Sequence, residues 1–154
     1  MAATFQWSES NGAGETVTDG ISNANMGSTD APNITPASYP VAAGSNSYEK
    51  WLRGKFSGSY TSISNLRFWK SAGAYVTGEA IKAAVNATYQ TPVQTTSTIA
   101  TADVPTVEGS ALAPTAPGAS PSYSGYITMQ LQTTGSTPPG NVNSKTFTLK
   151  YDET

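Results

Sequence analysis

Trp51, Arg53, Lys55, Arg67 and Trp69 are the residues whose types and spacing offer the most chemistry in this chain. All five fall in the stretch 48–69, YEKWLRGKFSGSYTSISNLRFW, which holds two of the three tryptophans. On strands, alternation places Trp51, Arg53 and Lys55 on one face and pairs Arg67 with Trp69. One cationic-aromatic face built from these five would suit a protein or a sugar, because Trp, Tyr and Arg dominate contact hot spots. The other reading makes both indoles core residues, with the cations laying their stems along them and keeping their heads in water. The second reading is favoured, since a small sandwich needs large side chains and this chain has few others.

Catalytic groupings are missing from the remaining residues. There is no His, which removes the commonest general base and metal ligand and every Ser-His-Asp arrangement. There is no Cys, so disulfides and thiolate metal sites are excluded. A Ser-Lys hydrolase would need a strand–turn–helix element to expose its serine, and no such element is read here. The ten acids, Glu9, Glu15, Asp19, Asp30, Glu49, Glu79, Asp103, Glu108, Asp152 and Glu153, are scattered, most of them beside small residues in expected loops. They read as solvated charges rather than as the rigid pair a glycosidase holds ~5–10 Å apart. Gly12-Ala13-Gly14 lacks a following helix to hold phosphate. No EF-hand spacing occurs, although loop oxygens that bind calcium are common. Neither a catalytic residue nor a cofactor is expected.

The elements that position these residues are strands. Hydrophobic residues make up 37% and charged residues 12% of the 154, and the difference is filled by Ser, Thr, Gly and Pro, which suit strands and turns better than helices. Residues 3–7 alternate around Phe5 and Trp7, and 15–18 centre on Val17. The segment 20–47 is rich in Asn, Ser, Gly and Pro. It reads as an ordered excursion with an edge strand around 21–26, anchored by Met26, Ile34, Tyr39 and Val41, and long enough to engage a second subunit. In 48–56, Tyr48, Lys50, Leu52, Gly54 and Phe56 share one face, and Glu49, Trp51, Arg53 and Lys55 the other. Residues 63–69 form the neighbouring strand. Residues 79–89 alternate without a break and read as a strand despite their helix-forming Ala, Glu and Lys. A short strand is expected within 104–109. Strands 124–132 and 145–151 are expected to pair across the Pro138-Pro139-Gly140 turn. The sum is an all-β antiparallel β-sandwich, jelly-roll-like or immunoglobulin-like, in a single domain 1–154.

The net charge of −2 argues against nucleic acid as a partner. No apolar run approaches the ~20 residues of a membrane span, and MAATFQWSES lacks the charged and apolar regions of a signal peptide.

The strand pair YEKWLRGKFSGSYTSISNLRFWKSAG, the segment NATYQTPVQTTSTIATADVPT and the ending SGYITMQLQTTGSTPPGNVNSKTFTLKYDET resemble small structural proteins of tailed bacteriophages, in particular the auxiliary or cement proteins that decorate capsids. The resemblance runs from about residue 48 to the end and is one of strand texture rather than of a ligand motif. It implies a β-sandwich made in the host cytoplasm that binds the major capsid protein on the virion surface, and self-association, often as a homotrimer. It carries over no catalytic residue. The alternative is a carbohydrate- or receptor-binding sandwich of a phage tail, with Trp51 or Trp69 stacked on sugar.

Overall fold

A computed structural model describes residues 2–140 and 143–154. Among these residues nine strands run in chain order: β1 (Ala3–Asn11), β2 (Thr16–Asp19), β3 (Lys50–Gly58), β4 (Ile63–Ala72), β5 (Glu79–Asn86), β6 (Ala102–Asp103), β7 (Ser122–Tyr123), β8 (Tyr126–Thr133) and β9 (Thr146–Glu153). Among the described residues there is no α-helix, only a 3-10 turn at Glu108–Ser110. Every pairing is antiparallel. The large sheet has the order β2-β1-β3-β8-β5-β6, with β7 also on β3, and the small sheet is β4-β9. The all-β antiparallel sandwich expected from alternation is what the chain forms.

Alternation places the core. From the large sheet, Leu52, Ile81, Ala83, Ile127, Met129 and Leu131 point inward, and Phe68 meets them from β4. Phe56, Ile63 and Leu66 form a second cluster, joined by Phe5, Leu149 and Tyr151. Each such side chain, fully buried, contributes roughly 1.5–3 kcal/mol. Phe68 stacks on Phe147 with ring centroids 5.7 Å apart, and Trp7 meets Phe68 edge-on at 6.1 Å.

The small sheet is too narrow to cover the large one. The excursion 20–47 fills the gap, laying Ile21, Ala24, Met26 and Val41 on the main core. It is tied down by main-chain bonds from Tyr48 to Gly27 and from Ser28 to Tyr39. Residues 21–26 pack on the core without joining a sheet, so the edge strand expected there is absent. Gly27 marks the tightest point: a Cβ would sit 2.6 Å from both the Ile34 side chain and the Tyr39 carbonyl. Gly27→Ala should therefore cost about 1–3 kcal/mol in chemical denaturation, and a neutral result would mean that the excursion packs loosely.

Three further expectations are corrected. β3 and β4 are consecutive but not paired; they belong to opposite sheets. β9 pairs with β4, not with β8, because both edges of β8 are occupied by β3 and β5. No strand forms within 104–109; β6 precedes it and the 3-10 turn closes it. The ambiguous segment 79–89 is a strand through Asn86, as its alternation requires.

Candidate contact site

On β3 the expected face exists but looks inward. Trp51 is fully buried. Its ring meets Tyr89 at 5.3 Å and Tyr126 at 5.6 Å, both edge-on. The cover is the segment 87–101, which returns across the far side of the large sheet. Glu49 fastens it. This buried carboxylate accepts from Trp51 Nε1 at 3.0 Å, Ser97 Oγ at 2.5 Å and Val93 N–H at 3.4 Å. Gln130, also fully buried, donates to the carbonyl of Thr95 at 2.8 Å and accepts from Ser97 N–H at 2.9 Å. β8 is thereby buried on both faces from Tyr126 to Leu131.

Arg53 does not lie on an indole. Its guanidinium sits between the rings of Tyr123 and Tyr126, 4.4 Å from each centroid. It donates to Glu15 at 3.2 Å. Tyr126 also donates to Glu15, and its phenol is pushed up to about 12 by burial and by that carboxylate. Tyr89, which donates to the Gly12 carbonyl at 2.7 Å, is raised further by burial and by surrounding carboxylates. Neither phenol can act as a base near neutrality. Lys55 pairs with Asp19 at 2.6 Å. Burial works against the Asp19 carboxylate, but bonds from Lys55, Ser8 and Tyr123 outweigh it and hold its pKa below 3.8. That contact contributes stability above the ordinary Asp value and loses it only as pH falls through the depressed one.

Arg67 and Trp69 stand elsewhere. Their neighbour Phe68 points between the sheets, so they project from the outer side of the small sheet, opposite the side that carries Trp51. The five candidates are not brought together. Arg67 is half exposed and shares Glu108 with Lys150, at 3.5 and 2.7 Å. Trp69 is partly exposed and is the only one of the two indoles that a ligand could reach. In the excursion, Ile34 is buried, Met26 and Val41 are partly buried against the chain's own core, and Tyr39 alone is exposed, at 43%.

The pattern also hid two buried ion pairs. Lys50 donates to Glu9 at 2.7 Å and to the Ala31 carbonyl at 2.7 Å. Asn11 bridges Glu9 and Asp30 at 2.8 and 2.7 Å. Lys145 meets Glu79 at 2.5 Å, with the Tyr75 ring beneath its ammonium. A signal for the first pair existed: Lys50 is a lone cation on an apolar face, and Glu9 continues the inward series Phe5, Trp7. Seven of the eight cations are ion-paired. The eighth, Lys70, donates to the Gly73 carbonyl at 2.5 Å and lies over Tyr75.

Clefts flank the excursion. One of about 420 Å³ is walled by Tyr39, Pro40, Val41 and Pro138 over Leu131. A second, of about 500 Å³, reaches Glu79 and Lys145, which already satisfy each other. Among the described residues no three acids converge as metal ligands, and no described helix is long and apolar enough to cross a membrane. Comparisons with protein-family models, with curated proteins and with solved structures find no match to this chain.

Proposed function

We propose that this chain is a non-enzymatic virion structural protein, a decoration or cement protein that binds the outer surface of a major capsid lattice and stabilises it. One observation carries the reading: each of the eight cations is engaged within the chain. One face of the large sheet is also covered from within by the small sheet and excursion, and 87–101 covers the other around Trp51, leaving Thr4 and Gln6 of β1 exposed there. What is left for a partner is loop surface rich in Ser, Thr and Pro, strand edges, and the outer side of the small sheet with Arg67, Trp69 and Lys150. Such a surface suits repeated shallow contacts, whose affinity multiplies across a lattice. The strand texture that resembles phage auxiliary proteins points the same way. The partners are the major capsid protein and further copies of the chain, and the location is the capsid surface.

The experiment is co-sedimentation with expanded capsid shells. Binding should saturate at a fixed ratio to the major shell protein and raise the temperature at which the shells come apart. Binding without saturation, or without any thermal effect, overturns the proposal.

Partial exposure of Trp69 favours one competing reading, a tail-associated glycan-binding module. Trp69→Ala should change domain stability by less than about 1 kcal/mol, so its binding phenotype is interpretable. Loss of glycan capture with the fold intact would support the competing reading, and loss of shell binding alone would place Trp69 in the capsid contact.

A further inference from the structure

Each strand of the small sheet has one side that does not face its partner. On β4 that side is occupied. Phe68 exchanges main-chain hydrogen bonds with Leu112 at 2.8 and 2.9 Å, and Lys70 N–H donates to the Pro105 carbonyl at 2.8 Å. On β9 it is open. Phe68 and Lys70 turn their main-chain groups away from β9, so their register partners Leu149 and Phe147 turn theirs away from β4. At the other end Thr154 exchanges bonds with Ser62, at 3.0 and 3.1 Å, which keeps the even-numbered residues facing β4 and leaves Tyr151 facing outward. Among the described residues, no hydrogen bond reaches the outward N–H and C=O groups of Phe147, Leu149 and Tyr151.

The side chains of β9 provide a second observation. On β4 the inward residues Ile63, Leu66 and Phe68 are 0–3% exposed. On β9 the inward residues Phe147, Leu149 and Tyr151 point to the same core, yet all three stay partly exposed. The core is left incompletely covered along the edge whose main chain lacks partners. The large sheet ends instead in short strands, β2 of four residues and β6 of two, a common protection against edge pairing.

We propose that a second copy of the chain adds its own β9 to this edge, antiparallel, about a two-fold axis through Leu149. That register sets Phe147 opposite Tyr151, Thr148 opposite Lys150 and Thr146 opposite Asp152, with no like charges facing, and it forms about six main-chain hydrogen bonds. An axis at Lys150 would set that cation against its own copy, and an axis at Thr148 would leave residues 151–153 unpaired. The two small sheets become one four-stranded sheet, and the exposed flanks of the inward side chains cover one another. The inference holds whether or not the chain binds capsids.

Light scattering on the full chain should read two chain masses at high concentration and one on dilution. Thr148→Lys places a cation opposite Lys150 of the other copy, twice by symmetry, and Thr148→Glu places an anion there. The dimer dissociation constants of these two variants should differ by roughly tenfold, with Thr148→Glu the tighter, while their melting temperatures stay close to that of the parent. The pair 148/150 lacks hydrogen bonds across this edge, so its Cα atoms approach closely enough for a disulfide. The double variant Thr148→Cys and Lys150→Cys, in a chain with no other Cys, should form a covalent dimer on oxidation. One chain mass at every concentration, three chain masses, equal affinities for the two charge variants, or no covalent dimer would each overturn the proposal.

Discussion

Lys50→Met is expected to destabilise the domain by about 3–5 kcal/mol, the cost of leaving a buried charge without its partner. Lys50 and Glu9 are 1% and 0% exposed, so water cannot replace the lost ammonium. Glu9 is already poorly satisfied: among the described residues its second oxygen, Oε2, has no hydrogen-bond partner, nor has the neighbouring Asn11 Oδ1. Burial raises the Glu9 carboxyl above its ordinary value of 4.5 even against the pull of Lys50. The folded state therefore holds the Glu9 proton more tightly than the unfolded chain does. The favourable contribution is complete below the ordinary Glu value and is lost as pH rises through the raised one. Removing Lys50 removes the opposing pull and raises the folded value further. The deficit of Lys50→Met, measured by urea denaturation, should thus shrink as pH falls from about 7 to about 4. Adding Glu9→Gln to that variant should recover part of the loss at neutral pH. A deficit that does not change with pH would show that lost packing, not a stranded carboxylate, is the cause.

Trp51→Ala is the second large effect, about 3–5 kcal/mol. The ring fills the space among Tyr89, Tyr126 and the 87–101 cover, and its Nε1 supplies one of the three donors to Glu49. Trp51→Phe separates these roles. It keeps an aromatic ring but removes the donor, and should cost about 1–3 kcal/mol, the usual penalty for an under-satisfied buried polar group. Both should also make the cover 87–101 more open to protease, because Glu49 is one of its main anchors. Equal small losses for Trp51→Ala and Trp69→Ala would contradict the difference in burial between the two indoles.

These two positions show what was legible in the sequence. Alternation along 48–56 assigns Trp51 and Leu52 to opposite faces correctly. The period of two says which residues share a face, but not whether a segment forty residues later returns to cover it. Trp51 could therefore be read as core or as contact surface, and only the path of 87–101 decides. Strand pairing failed for a similar reason. A short Pro-Pro-Gly connection suggests a hairpin, yet β8 has three inward apolar residues and lies mid-sheet with both edges occupied, so the chain after the turn must cross to the other layer. The alternation of large apolar residues stops at Trp7, which predicts a loop from Ser8, but β1 continues to Asn11 and carries Glu9 inward. Lys50 stands out as the one cation on an apolar face, but its counterion lies on the part of β1 beyond the alternation that marks 3–7.

The complete engagement of the eight cations has a consequence for how this molecule would respond to salt. Counterions screen exposed, separated charges most strongly, and here the basic groups are held at short range by their own acids or carbonyls. Sodium chloride would leave the buried pairs Lys50–Glu9 and Lys145–Glu79 largely unaffected and would weaken the exposed ones of Arg67, Lys82 and Lys150. If the chain pairs through its β9 edge as proposed, that contact, built from main-chain hydrogen bonds, would change little from dilute buffer to brine.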